Sequence, residues 1–256
     1  MLELDTCYTL TKIPYLTYEA LDDYAEAVVC DFSPECLGVP SIIDVESFIE
    51  YYLHLTVDFR RVCYNHSVLG MTAFNDGMVN VICEETGQPE EMFVNKGTVI
   101  IDTSLTSKRN EPRLRFTMTH EGAHWLIHRK AFRENNLFGP VGVYDNRYLA
   151  AKTGFVDYSR SQKERNDIEL MERQADFLAS AILMPRPPLR KAFRAFFDLN
   201  GEKPRRIIRG MSPIDDCLAM QLPGYIANIF NVSRRAAQIR LEKLTAIVNK
   251  GWPYCY

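Results

Sequence analysis

His120-Glu-Gly-Ala-His-Trp-Leu-Ile-His128 is the stretch whose reading decides the fold, and it holds three of the chain's five histidines. Its first five residues spell H-E-x-x-H. On an α-helix, side chains at i and i+4 lie about 40° apart around the axis and roughly 6 Å apart along it. His120 and His124 can therefore aim one imidazole nitrogen each at a single point, as two ligands of one zinc ion do. Glu121 points about 100° round from His120. That places it beside a water on the metal rather than on the metal itself, where a general base belongs. The competing reading is a structural helix whose histidines are merely hydrogen-bonded. Phe116, Met118, Ala123, Trp125, Leu126 and Ile127 surround the motif with apolar side chains on nearly every face. The helix is thus predicted to be buried, and buried histidines need partners, which a metal supplies. His128 lies one turn further on, out of reach of the same ion, and reads as a hydrogen-bonded neighbour.

Composition narrows the class. With 256 residues, 46% hydrophobic and 25% charged, the chain has the make-up of a soluble globular protein and can bury a proper core. A net charge of −3 argues against broad nucleic-acid or membrane binding. Seven cysteines without a C-x-x-C pair read as reduced thiols, so a cytoplasmic location is expected. The acidic start, Met1 to Asp5, has no apolar run, and no segment approaches the roughly 20 apolar residues of a membrane span.

Upstream of the motif, residues 1–16 read as irregular. Thr17 caps a helix beginning at Tyr18. Ser41 with Asp44 forms a capping box for a second, whose buried stripe is Ile42, Val45, Phe48, Ile49, Tyr52 and Leu53. From Leu55 to Ile101 the period changes to two, predicting a small, largely antiparallel sheet that leads into the metal helix. Pro112 suits an early position in that helix. Residues 131–165 form a long, weakly patterned insertion, rich in glycine and charge, that reads as a lid over the cleft. A strong helix then runs from about Lys163 to Met184, with Ile168, Met171, Ala175, Leu178, Ala179 and Ile182 as its stripe, and stops at Pro185. Gly201 to Pro213 reads as a loop. Two helices follow over 225–244, with a turn at Asn231-Val232 and Ser233 as a cap, an arrangement similar to a helix-turn-helix.

A catalytic zinc usually takes three protein ligands. No histidine follows His128, so the third is a carboxylate or one of the upstream histidines, His54 and His66. Glu172 and Asp176 stand at i and i+4 on the downstream helix. At 100° per residue, Glu172 falls about 70° from the centre of the apolar stripe, Asp176 about 110° and Glu169 about 130°. Glu172 would thus border the interior. Asp176, one turn on, would be placed to bond a ligating imidazole from behind.

His120-Glu-Gly-Ala-His124, followed by Glu172-Arg-Gln-Ala-Asp-Phe-Leu-Ala179 and Leu183-Met-Pro185, resembles the ImmA/IrrE family of metallo-endopeptidases. The resemblance implies that His120, His124 and Glu172 bind zinc and that Glu121 is the catalytic base. It implies an α+β fold with a zincin-like core: a small, mostly antiparallel sheet, a buried H-E-x-x-H helix and a second metal-ligand helix. Residues 1–200 would form the metallopeptidase domain, with the N-terminal helices and the insertion at about 131–165. Residues 201–256 would be a helical region packed on it. The typical substrate would be a partner protein, often a transcriptional repressor cut at one bond in regulatory proteolysis. Tyr144, Tyr148 and Tyr158 are candidates to donate to the oxyanion. Two features depart from the family pattern: Gly122 and Ala123 are both small, and the stretch from His124 to Glu172 is long. The alternative of another class is a DNA-binding regulator with a structural metal, whose Arg234, Arg235, Arg240 and Lys243 meet phosphates.

Overall fold

The computed structural model describes residues 6–9, 12–134 and 162–251. Thr17 caps as its sequence predicts: its hydroxyl accepts from the Ala20 amide and α1 spans Tyr18–Phe32. A short α2, Glu35–Gly38, follows. The next cap is Asp44 rather than Ser41. The Asp44 carboxylate accepts from the Ser47 amide, while the Ser41 hydroxyl bonds the Val39 carbonyl. An anion is the better acceptor at a helix N-terminus. Helix α3, Val45–Ser47, therefore starts late, and Ile42 is left 49% exposed instead of joining the stripe. The chain widens at once into a π-helical turn, Phe48–Tyr52. That turn pushes Ile49 and Leu53 onto Gly122, where a β-carbon would meet Ile49 Cδ1 at 2.7 Å. A larger residue at this position would have to displace the ends of both side chains.

Five strands follow: β1 Thr56–Arg60, β2 Gly70–Thr72, β3 Gly77–Ile82, β4 Pro89–Val94 and β5 Thr98–Asp102. β5 is central and buried along its whole length. β2 pairs with it antiparallel, and β3 and β4 make a separate antiparallel ribbon, both in keeping with the period-two reading. β1 pairs with β5 in parallel, Thr56 beside Thr98 through Arg60 beside Asp102. The excursion through β2, β3 and β4 is long enough to return the chain in the same direction, which a tight hairpin cannot do. Buried Asp102 closes the sheet, accepting from the amides of Val62 and Ser104 at 3.0 Å each and lying 2.7 Å from His66 Nδ1. It pins the 61–67 connection just ahead of β2.

The motif helix, α4, spans Glu111–Glu134 with Pro112 as its second residue. The downstream helix, α5, spans Gln162–Leu183, and α6 follows over Arg186–Leu199. Both ends of the segment 131–165 are therefore helical rather than loop. Its remainder, with Tyr144, Tyr148, Tyr158 and the expected lid, lies outside the described residues. All six stripe residues of α5 are buried. Each of the larger ones contributes about 1.5–3 kcal/mol on burial.

In the C-terminal region, β6 Ile207–Arg209, within the stretch whose sequence reads as loop, pairs in parallel with β7 Ile247–Asn249. Three residues are too few to show a period, and only their pairing defines them. Between them lie α7, Pro213–Phe230, and α8, Arg234–Lys243, joined at Asn231 in the left-handed conformation, with Ser233 accepting from the Ala236 amide. This pair is fastened to the rest. Arg115 bonds the carbonyls of Ile43 and Asn231, and Asn231 in turn donates to Glu111. Arg240 is fully buried, paired with Asp22 of α1 and bonded to the Met184 carbonyl. One apolar core takes residues from α1, α4, α5, α7 and α8. Among the described residues no helix is long and apolar enough to cross a membrane.

Candidate metal centre

The packing of α4 against α5 brings the sequence-predicted residues together. His120 Nε2 and His124 Nε2 stand 3.0 Å apart, and Glu172 reaches them with Oε1 3.2 Å from His124 Nε2 and Oε2 3.4 Å from His120 Nε2. Ligand atoms of all three residues lie within 4.8 Å of one another. Both histidines are buried, and the Glu172 side chain is 14% exposed. His54 and His66 are not part of this group; His66 is taken up by Asp102.

Electrostatics favour a charged centre. Burial alone would raise the Glu172 carboxyl, but His124 and His120 at its oxygens hold it well below the usual carboxylate range. The site therefore presents an anion and two imidazoles around one point. Glu172 Oε2 and Glu121 Oε1 are both buried without a hydrogen-bond partner among the described residues. A buried oxygen left without a donor is destabilising. A cation between the three ligands removes that penalty for Glu172, so the donor set fits a metal, and its two nitrogens and one oxygen are of the kind zinc takes.

Around the three candidate ligands stand groups placed to orient them. Asp176 Oδ1 lies 2.8 Å from His120 Nδ1, behind the ring, as its spacing from Glu172 predicts. His128 does not join the ligands; its Nδ1 is 2.9 Å from His124 Nδ1. Burial, with His124 beside it, pushes the His128 imidazole well below its ordinary value.

The Glu121 carboxylate is buried against β2. Its Oε2 accepts from the Thr72 hydroxyl at 2.9 Å, and Gly70 passes so close that a β-carbon would lie 2.7 Å from Oε1. Gln174 Oε1 lies 2.9 Å from His128 Nε2. Nothing local in the sequence joins Gly70, Thr72 or Gln174 to the motif.

A family model described as the IrrE N-terminal-like domain, of the M78 peptidases, matches residues 104–242, more than half of the chain. The chain belongs to that family. No curated protein matches it. In this IrrE N-terminal-like domain, the matched span opens just after β5 and takes in α4, α5 and α8. It thus holds His120, Glu121, His124, Glu172 and Asp176, while Gly70 and Thr72 lie ahead of it. The family is one of metallopeptidases, and a His120, His124 and Glu172 site for a metal accords with it.

Proposed function

We propose that this chain is a zinc-dependent endopeptidase that hydrolyses one peptide bond in a partner protein, a transcriptional repressor being the class of partner the family resemblance suggests. The observation that carries the reading is the convergence of His120, His124 and Glu172 within 4.8 Å, with the Glu121 carboxylate buried alongside. Zinc held there would polarise the scissile carbonyl and make water nucleophilic near neutral pH. The rest falls to the chain. Glu121 takes a proton from the attacking water on Oε1, the oxygen with no other partner, while Thr72 holds Oε2. It then delivers that proton to the leaving amine, so the carboxylate is restored. Asp176 and His128 keep the two imidazoles facing inward.

A groove of about 510 Å³ has Phe116, Phe177, Ile239, Arg113 and Arg235 in its lining and shares Asp176 with this centre. Its largely apolar lining suits a polypeptide. Of the basic residues suited to DNA phosphates, Arg240 is inside the core and Lys243 lies against the ring of Tyr18. The proposal includes a reducing, cytoplasmic setting, in which the cysteines, none bridged among the described residues, remain thiols.

The test is to incubate zinc-loaded wild-type protein and Glu121→Gln with a panel of purified repressors. Cleavage at one site, by the wild type and only when metal is present, is expected. Equal cleavage by the variant or by chelator-treated protein would overturn the assignment.

A further inference from the structure

Beyond the ligands, His124 has a second ring nitrogen, and it begins a run of hydrogen bonds that ends at the N-terminal segment. His124 Nδ1 meets His128 Nδ1 at 2.9 Å. His128 Nε2 meets Gln174 Oε1 at 2.9 Å, and Gln174 Nε2 meets the Pro14 carbonyl at 2.8 Å. His124, His128 and Gln174 are 2%, 0% and 3% exposed, and Pro14 is buried.

The far end fixes the direction of the whole run. A carbonyl only accepts, so Gln174 must turn its NH2 to Pro14 and its oxygen to His128. The reverse orientation would set two oxygens against each other without a proton. An amide oxygen also only accepts, so His128 must carry its proton on Nε2. With that single proton on the ring, His128 keeps a lone pair on Nδ1, and the 2.9 Å contact is then made by the Nδ1 proton of His124. What remains on His124 is the Nε2 lone pair, the one that faces His120 and Glu172.

We infer that Pro14, Gln174 and His128 form a proton-direction relay that locks His124 in the tautomer able to ligate through Nε2. The N-terminal segment thereby becomes a positioning element of the metal centre. Its use to a metal rests on the reading of the site as a metallopeptidase centre, whereas the direction of the bonds does not.

The segment is built to hold that carbonyl still. Pro14 pairs antiparallel with Tyr8, the Thr9 amide donates to the Ile13 carbonyl, and the Thr9 hydroxyl accepts from the Ile13 amide. Ile13 is completely buried in the second apolar cluster, beside Met171 of α5. Proline itself has no N–H, so its carbonyl is the single polar group it brings to the site. His120 is oriented separately, by Asp176, so each ligand has its own anchor.

The test reads the tautomers directly. Two-bond 1H–15N correlation spectra of 15N-histidine-labelled protein, zinc-loaded and metal-free at about pH 8, distinguish Nδ1–H from Nε2–H. The expected result is His128 protonated on Nε2 and His124 on Nδ1 in both states. A His128 signal of the Nδ1–H form overturns the relay, whatever the protein does with zinc. A protein that keeps the expected tautomers but takes up no zinc upholds the relay and overturns the metallopeptidase reading instead. Chelator competition supplies the second measurement. His128→Phe removes the acceptor and should raise the zinc Kd by roughly 10–100-fold. His128→Gln can accept from His124 and donate to Gln174, and should restore most of the affinity. Wild-type affinity in His128→Phe would overturn the relay.

Discussion

Gly70 and Glu121 come so close that a β-carbon on Gly70 would lie 2.7 Å from Glu121 Oε1 and 2.9 Å from its Cγ. Strand β2 is therefore a wall that sets where the carboxylate of the motif can stand, and Thr72 two residues later bonds its other oxygen. Gly70→Ala should move Glu121 without touching a metal ligand. Since a displacement near 1 Å costs about 10²-fold in rate, hydrolysis should fall by about that factor while zinc content stays at the wild-type level. Steady-state kinetics beside metal analysis would check this. An unchanged rate would show that the carboxylate position is not critical.

Glu121→Gln keeps the shape but loses the group that accepts the proton. Peptide hydrolysis should disappear, with zinc content unchanged. Metal analysis and a cleavage assay on the same preparation decide it, and loss of metal along with activity would give Glu121 a different role.

Three carboxylates of α5 should separate cleanly in zinc titrations. Glu172 lies 3.2 Å and 3.4 Å from the two Nε2 atoms, so Glu172→Ala should lose the metal. Asp176 lies against the far nitrogen of His120, and Asp176→Ala should weaken binding roughly 10–100-fold. Glu169 is exposed, and Glu169→Ala should bind as the wild type does. A metal-free Glu169→Ala protein would contradict the geometry.

Asp102 should make the fold sensitive to acid. Burial would raise its carboxyl, but the bonds from Ser104, Val62 and His66 outweigh this and hold it below the usual range. The folded group thus releases its proton at lower pH than the unfolded one, whose value is about 3.9. Its contribution is complete above that pH and is lost as pH falls through the folded value. Asp102→Asn should lower stability by about 1–3 kcal/mol at neutral pH and flatten the acid limb. Urea unfolding across a pH series reads both; parallel acid limbs would be the contrary outcome.

Asp22→Ala strands the buried guanidinium of Arg240, which joins α8 to α1. Removing one partner of such a pair costs about 3–5 kcal/mol. The double variant Asp22→Leu with Arg240→Met should regain most of that loss in urea denaturation. A loss below about 1 kcal/mol in the single variant would mean that water reaches the pair.

The parts of the site carried by helix phase were legible without a structure. The i, i+4 spacing of His120 and His124, the stripe of α5 with Glu172 at its edge, and the caps at Thr17 and Ser233 all depend on residues within a turn or two of each other. Local geometry fixes them, and the fold keeps them. Elsewhere local signals pointed the wrong way. Ser41 and Asp44 both resemble caps, and the anion took the position. Arg240 reads as a phosphate contact until Asp22 comes to meet it from the far end of the chain.

By itself, then, the sequence determined which residues are candidates for the chemistry and which way they face along their own helices, because a helix repeats every 3.6 residues whatever surrounds it. Tertiary structure alone decided what those residues meet. The parallel run of β1 beside β5, the approach of Gly70 to Glu121, and the path from Pro14 through Gln174 to His128 each join segments far apart in the chain. Side-chain alternation looks the same in a parallel as in an antiparallel strand, and a hydrogen bond between distant residues leaves no period to read. Those partners exist only once the apolar faces of α1, α4 and α5 have closed on one core.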